Sequence, residues 1–129
     1  MLFRSIDKTG LSAGTYYLYS VDTAGNLSLV SSTGYTFTDT PPASGTLGLT
    51  NYTDSGSSTT DQISTDNTFD LTISGNEAGT TVTYEVSTDG GTSWTPTTAS
   101  QSGLTDGTYK FRATVTDSAG NRNTKHTRY

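Results

Sequence analysis

Carboxylates are the one chemically reactive side-chain class that this chain holds in number. Asp and Glu together count 12, against no cysteine, a lone His126, and four arginines at Arg4, Arg112, Arg122 and Arg128. Two stretches that nearly repeat, "GTYYLYSVDTAGN" (Gly14–Asn26) and "GTYKFRATVTDSAGN" (Gly107–Asn121), both end on Asp-x-Ala-Gly-Asn. Carboxylates and loop carbonyls are the hard oxygen donors that calcium collects in sets of about six to eight. Asp also favours turns for purely local reasons. For any single Asp the local reading comes first, and only convergence of several loops would make a metal site.

Other chemistry finds little footing. His126 stands in a terminal stretch with no cysteine in the chain and no serine plausibly paired to it,. Glycoside hydrolysis by paired carboxylates needs a cleft, which a slender β-domain does not offer. We expect no enzyme activity. The net charge of −5 leaves no basic stripe for nucleic acid,. No apolar run approaches the roughly 18 residues that span a bilayer. The opening Met1–Ser5 differs in character from the rest of the chain and is expected not to be native sequence.

The elements that must position the carboxylates read as strands. Apolar residues make up 29% of the chain, while Thr and Ser number 29 and 17. Thr is β-branched and suits a half-solvated pleated surface. Apolar and polar residues alternate with period two through Phe69–Ser74, Val82–Ser87 and Tyr109–Val115. Turn-rich stretches separate them, "DSGSSTTDQISTDN", "GNEAG", "STDGGTS" and "LTDG" among them,. Several short strands so spaced predict an all-β, antiparallel sandwich. Its expected core is Leu47, Leu49, Phe69, Leu71, Ile73, Val82, Tyr84, Val86, Tyr109, Phe111 and Val115. Residues 6–38 match only the last two strands of such a unit, Tyr16–Val21 and Leu27–Phe37, joined by "DTAGN". Residues 39–45 read as a linker and 46–129 as the sandwich, its last strand cut short. The chain then spans a hairpin from one repeat and most of the next.

In order and spacing, "DTPP", "TDSGSSTTDQIS", "GNEAGTTVTYEVSTDGGTSW" and "GTYKFRATVTDSAGN" resemble the bacterial immunoglobulin-like repeats of giant secreted adhesins. That resemblance covers about Asp39–Asn123, with Gly14–Asp39 for the preceding copy. It implies an immunoglobulin-like sandwich in an extended extracellular or cell-surface stalk, exported by a one-step (type I) pathway and rigidified by calcium. Its partners would be adjacent repeats of the same chain, with surface glycans met through other domains.

Strand alternation then places the candidate ligands. Glu77 and Asp117 should share the end at which the chain arrives from Asp39, with Asn121 and loop carbonyls completing a calcium shell. Asp54, Asp61 and Asp66 should form a second acidic cluster at the opposite end, with Asp106 nearby. "STDGGTSW" (Ser87–Trp94) resembles the Asp-box hairpin of sialidases, a structural turn in that family, and Asp-Gly alone suffices for a hairpin. The competing reading is a carbohydrate- or ligand-binding module of a secreted enzyme, with Trp94 stacking on a sugar.

Overall fold

The computed structural model describes residues 10–128, so the expected non-native Met1–Ser5 lies outside the described residues. The chain divides into two compact units, Met1–Thr40 and Pro41–Tyr129. No helix occurs among the described residues.

The first unit is one long hairpin in two ladders. β1 (Gly14–Tyr16), β2 (Tyr19–Val21), β3 (Leu27–Leu29) and β4 (Tyr35–Phe37) pair as β2 with β3 and β1 with β4, both antiparallel. Between the ladders the return arm carries the longer insert, and Leu18 O accepts from both Val30 N (2.8 Å) and Ser31 N (3.3 Å). The two expected strands are therefore each broken in the middle. The pairs Tyr19–Leu29 and Val21–Leu27 put four large apolar side chains on one face, 54–68% exposed.

The second unit is an antiparallel β-sandwich. Its strands are β5 (Ser44–Thr50), β6 (Phe69–Asn76), β7 (Thr81–Ser87), β8 (Thr95–Thr97), β9 (Ser100–Gln101), β10 (Lys110–Thr116) and β11 (Arg122–Arg128). One sheet has the order β11-β10-β7-β8 and the other β5-β6-β9. The sheets meet where β5 packs against β10 and β11. Period-two alternation sends Phe111, Ala113 and Val115 inward at 0% exposure, while Lys110, Arg112 and Thr114 stay half-buried on the other face,. Leu47, Phe69 and Leu71 of the second sheet cluster with Phe111 and Ala113, with Leu49, Ile73, Val82, Tyr84, Val86 and Tyr109 packed around. All the expected core residues are buried or half-buried, and Ala113 joins them. Gly45, at φ +68, lets β5 close on β6: a Cβ there would stand 2.4 Å from Ser74 O,.

The last strand, β11, pairs with β10 from Lys110↔Arg128 to Thr116↔Arg122. Backbone pairing with β10 carries it although its own sequence is polar. The sequence also concealed that residues 95–101 contribute a short strand to each sheet, β8 and β9.

A core this thin makes each large member count. We expect Phe111→Ala to cost about 3–5 kcal/mol, a large share of the roughly 5–15 kcal/mol typical of a domain. Ile63→Ser, at a residue 73% exposed, should stay within about 0.5 kcal/mol. Urea denaturation of both variants checks the contrast; equal midpoints would contradict the core described.

Candidate functional site

The repeated acidic loop is a self-contained turn, and its chemistry is the same in both units. Asp117 N donates to Asn121 O (3.1 Å) and Gly120 N to Asp117 O (3.1 Å). The Asp117 carboxylate accepts from Ala119 N (2.8 Å), Asn121 N (2.9 Å) and Asn121 Nδ2 (2.9 Å). In the first unit Asp22 accepts from Ala24 N (2.9 Å), Asn26 N (2.9 Å) and Asn26 Nδ2 (2.8 Å). Each Asp thus satisfies the amides that a tight turn leaves without a ladder partner. The Asn121 side chain first, and then the turn amides, hold the Asp117 carboxyl below its usual range; the same set around Asn26 does so for Asp22.

The strands feeding this turn also recur. Tyr109 Oη donates to Thr105 O (2.9 Å) and Tyr16 Oη to Ser12 O (2.8 Å). A tyrosine near a strand start bonding back to upstream backbone is the tyrosine corner of immunoglobulin-type sandwiches. Each unit also holds a cross-strand hydroxyl pair, at different distances from the turn: Thr114–Thr124 (3.0 Å) in the second and Thr15–Thr36 (3.1 Å) in the first.

The other expected ligands are described unit by unit through their local partners. Glu77 is exposed at the same end of the second unit as Asp117, since Thr116 pairs with Thr81 across β10 and β7. Its Oε2 accepts from Ala43 N (3.3 Å), and its N donates to Ala43 O (3.0 Å). Asp39 is exposed and belongs to the first unit. In the 51–68 loop, Asp54 Oδ2 accepts from Gln62 N (3.0 Å) and Asp61 Oδ1 from Ile63 N (3.1 Å). Asp66 accepts from Thr53 N (2.8 Å) and Thr68 N (3.1 Å). These carboxylates fasten the loop to itself, including Gln62 at φ 62, a conformation that costs a non-glycine residue free energy,. Asp54 Oδ1 is buried without a partner among the described residues. Among the described residues no three His, Asp or Glu side chains form a group that could hold a metal ion.

The Ser87–Trp94 hairpin is built around Asp89. Its carboxylate accepts from Ser87 Oγ (2.7 Å), Thr92 N (3.0 Å), Ser93 N (2.9 Å) and Ser93 Oγ (2.5 Å). The Ser93 hydroxyl, and after it the Ser93 amide, hold its carboxyl far below the usual range. Trp94 is half-buried and donates Nε1–H to Gly91 O (3.2 Å). The Arg112 guanidinium lies 4.5 Å from its ring centroid, and His126 meets it edge-on at 5.5 Å. Arg112 also pairs with Glu85 at 2.6 Å. The expected structural turn is what the hairpin makes, and the indole is engaged by its own sheet.

A cavity of about 510 Å³ opens between the 51–68 loop and the 102–109 loop of the second unit. Its walls include Tyr52 and Tyr109, neither of which sequence reasoning marks as functional. The repeated Gly-Thr-Tyr was the available signal for Tyr109; none existed for Tyr52.

Residues 41–129 match the family described as bacterial Ig-like domain. The chain belongs to that family. No curated protein matches the chain. The two-sheet antiparallel architecture of the second unit is consistent with an immunoglobulin-like sandwich,. The first unit shares with the second the Asp–Asn turn and the upstream tyrosine bond.

Acid should loosen these turns. A carboxyl held low in the folded state contributes stability above the unfolded value of about 3.9, and loses it as pH falls through the folded value. We expect the thermal midpoint to be flat from about pH 7 to 5 and to fall below about pH 4. Asp89→Asn should lower the midpoint at neutral pH and flatten the acid limb. An unchanged acid limb in that variant would remove Asp89 as a contributor.

Proposed function

We propose that the chain is a structural extender: a run of bacterial Ig-like repeats in the stalk of a secreted or cell-surface adhesin. The observation that carries this reading is the recurrence, within one chain, of a hairpin with the same Asp–Asn turn and the same upstream tyrosine bond. A module used in series needs such a self-contained closing element, because each copy must fold beside neighbours of nearly the same sequence. The family of residues 41–129 supports a structural module. The engaged state of Trp94 favours packing over sugar stacking at that hairpin.

Calcium is part of the proposal as a stiffening ion, taken up at repeat ends with Asp39, Glu77 and Asp117 as ligands and Asn121 beside them. Because no unit by itself gathers three such groups among the described residues, the ion would draw its oxygens from more than one repeat. Extracellular modules bind calcium at about 10⁻⁴–10⁻³ M. At tenfold the dissociation constant each site would add about 1.4 kcal/mol.

The test uses a protein of at least two complete repeats. We expect small-angle scattering to give an elongated particle whose maximum dimension grows with repeat number. Millimolar calcium should raise the thermal midpoint relative to chelator, and Asp39→Asn with Glu77→Gln should abolish that rise while leaving the turn carboxylates intact. A compact particle would overturn the extender reading. An unchanged midpoint would remove calcium while leaving the extender reading in place.

A further inference from the structure

The cavity between the 51–68 and 102–109 loops has a chemical character of its own. Phe69, Phe111 and Leu104 line it together with Tyr52 and Tyr109. Three carboxylates, Asp61, Asp66 and Asp106, share the lining, and no Lys, Arg or His among the described residues does. At about 510 Å³ it falls within the range of roughly 300–1,000 Å³ usual for small-ligand pockets,.

We propose that this cavity binds a small organic cation, an ammonium or guanidinium group on an aliphatic stem. The apolar lining accepts the stem, the two tyrosines bring aromatic rings to the charge, and the carboxylates supply the counter-charge. A metal ion suits the site poorly. No metal-holding group of three exists among the described residues, and ring carbons are no ligands for a hard cation,. A guanidinium or alkylammonium spreads its charge over a larger volume and needs no tight convergence. An uncharged polyol would leave the carboxylate field unanswered.

The walls are set before any ligand arrives. Tyr109 is fixed by its bond to Thr105 O (2.9 Å) and stacks on Phe111, with ring centroids 6.3 Å apart. Tyr52 meets Phe69 edge-on at 5.6 Å. Asp66 is pinned by two backbone amides. Asp106 is exposed at the rim and is the carboxylate free to turn toward a ligand. The negative field is felt at Tyr52, whose hydroxyl is pushed above its usual value by burial first and by Asp54, Asp66 and Asp61 in addition.

The test is amide and aromatic NMR on the intact chain, titrated with butylguanidinium, butanol, butyrate or calcium chloride. We expect butylguanidinium alone to give saturable shifts, confined to residue 52, residues 61–67 and residues 104–111. Asp106→Asn, at a residue outside the core and the strand ladders, should weaken that binding about two- to fivefold, and about 0.5 M salt should weaken it further. Equal binding of butanol would reduce the site to an apolar void. Shifts unaltered in Asp106→Asn, or scattered over the surface, would overturn the proposal. So would calcium that produces the same pattern and displaces the guanidinium. None of these outcomes bears on the extender reading, which rests on the hairpin.

Discussion

One edge-to-face contact ties the two sheets of the second unit together. Phe69 on β6 and Phe111 on β10 meet at 5.8 Å between ring centroids, with planes at 89°. Tyr52 continues the row beyond Phe69, and Tyr109 continues it beyond Phe111. In a chain with 29% apolar residues, this row of four rings supplies much of the area that two sheets must share to stay together. It also dictates where the sandwich can open. The inner two rings close the core, and the outer two, each with a hydroxyl to satisfy, become walls of a cavity.

Outside the apolar core and the strand ladders, the turns and loops are held by polar side chains bonded to nearby backbone. Asp117, Asp22 and Asp89 each gather three or more donors within four residues of themselves. In the 51–68 loop Ser64 Oγ reaches Thr53 O (2.5 Å), and Ser55 Oγ accepts from Thr65 N (3.0 Å). Each such bond contributes on the order of 1 kcal/mol net, little alone and considerable when repeated. The excess of Ser, Thr and Asp is thus how a long loop keeps one shape without an apolar lining. The cost shows at Asp54, where one oxygen serves Gln62 and the other is buried without a partner among the described residues.

The sheet faces were legible in the sequence because period two and burial are the same fact in a strand. Phe111, Ala113 and Val115 could be read as one side of β10 from their spacing alone. The Asp-x-Ala-Gly-Asn repeat was legible as a motif and harder to read as chemistry. Residue type says that a carboxylate is present; it does not say that its lone pairs point back into the turn. Sharing an end could be deduced for Glu77 and Asp117 from strand alternation, whereas the amides each would accept from could not. The cavity was illegible for a different reason. Tyr52 and Tyr109 lie far apart in the chain, and only closure of the two sheets brings their loops face to face.

The two copies of the hairpin separate what the turn specifies from what the arms specify. Both turns use the same Asp–Asn bonds, yet the arms differ. In the first unit Tyr19 opposes Leu29 and Val21 opposes Leu27, so both strands are apolar on that face. In the second, the pairs at the same distance from the turn are polar, Thr116 with Arg122 and Thr114 with Thr124, and on the other face buried Val115 opposes Asn123 and buried Ala113 opposes Lys125. Polar residues on the face that its partner buries suit β11 to the edge of its sheet, where a lysine deters further strand addition. The first hairpin has no such guard, and its apolar pairs stand more than half exposed. The turn therefore fixes reversal and register, which every copy needs alike. The arms decide how much cover each hairpin must find, and that requirement differs between the two units without any change in the motif that closes them.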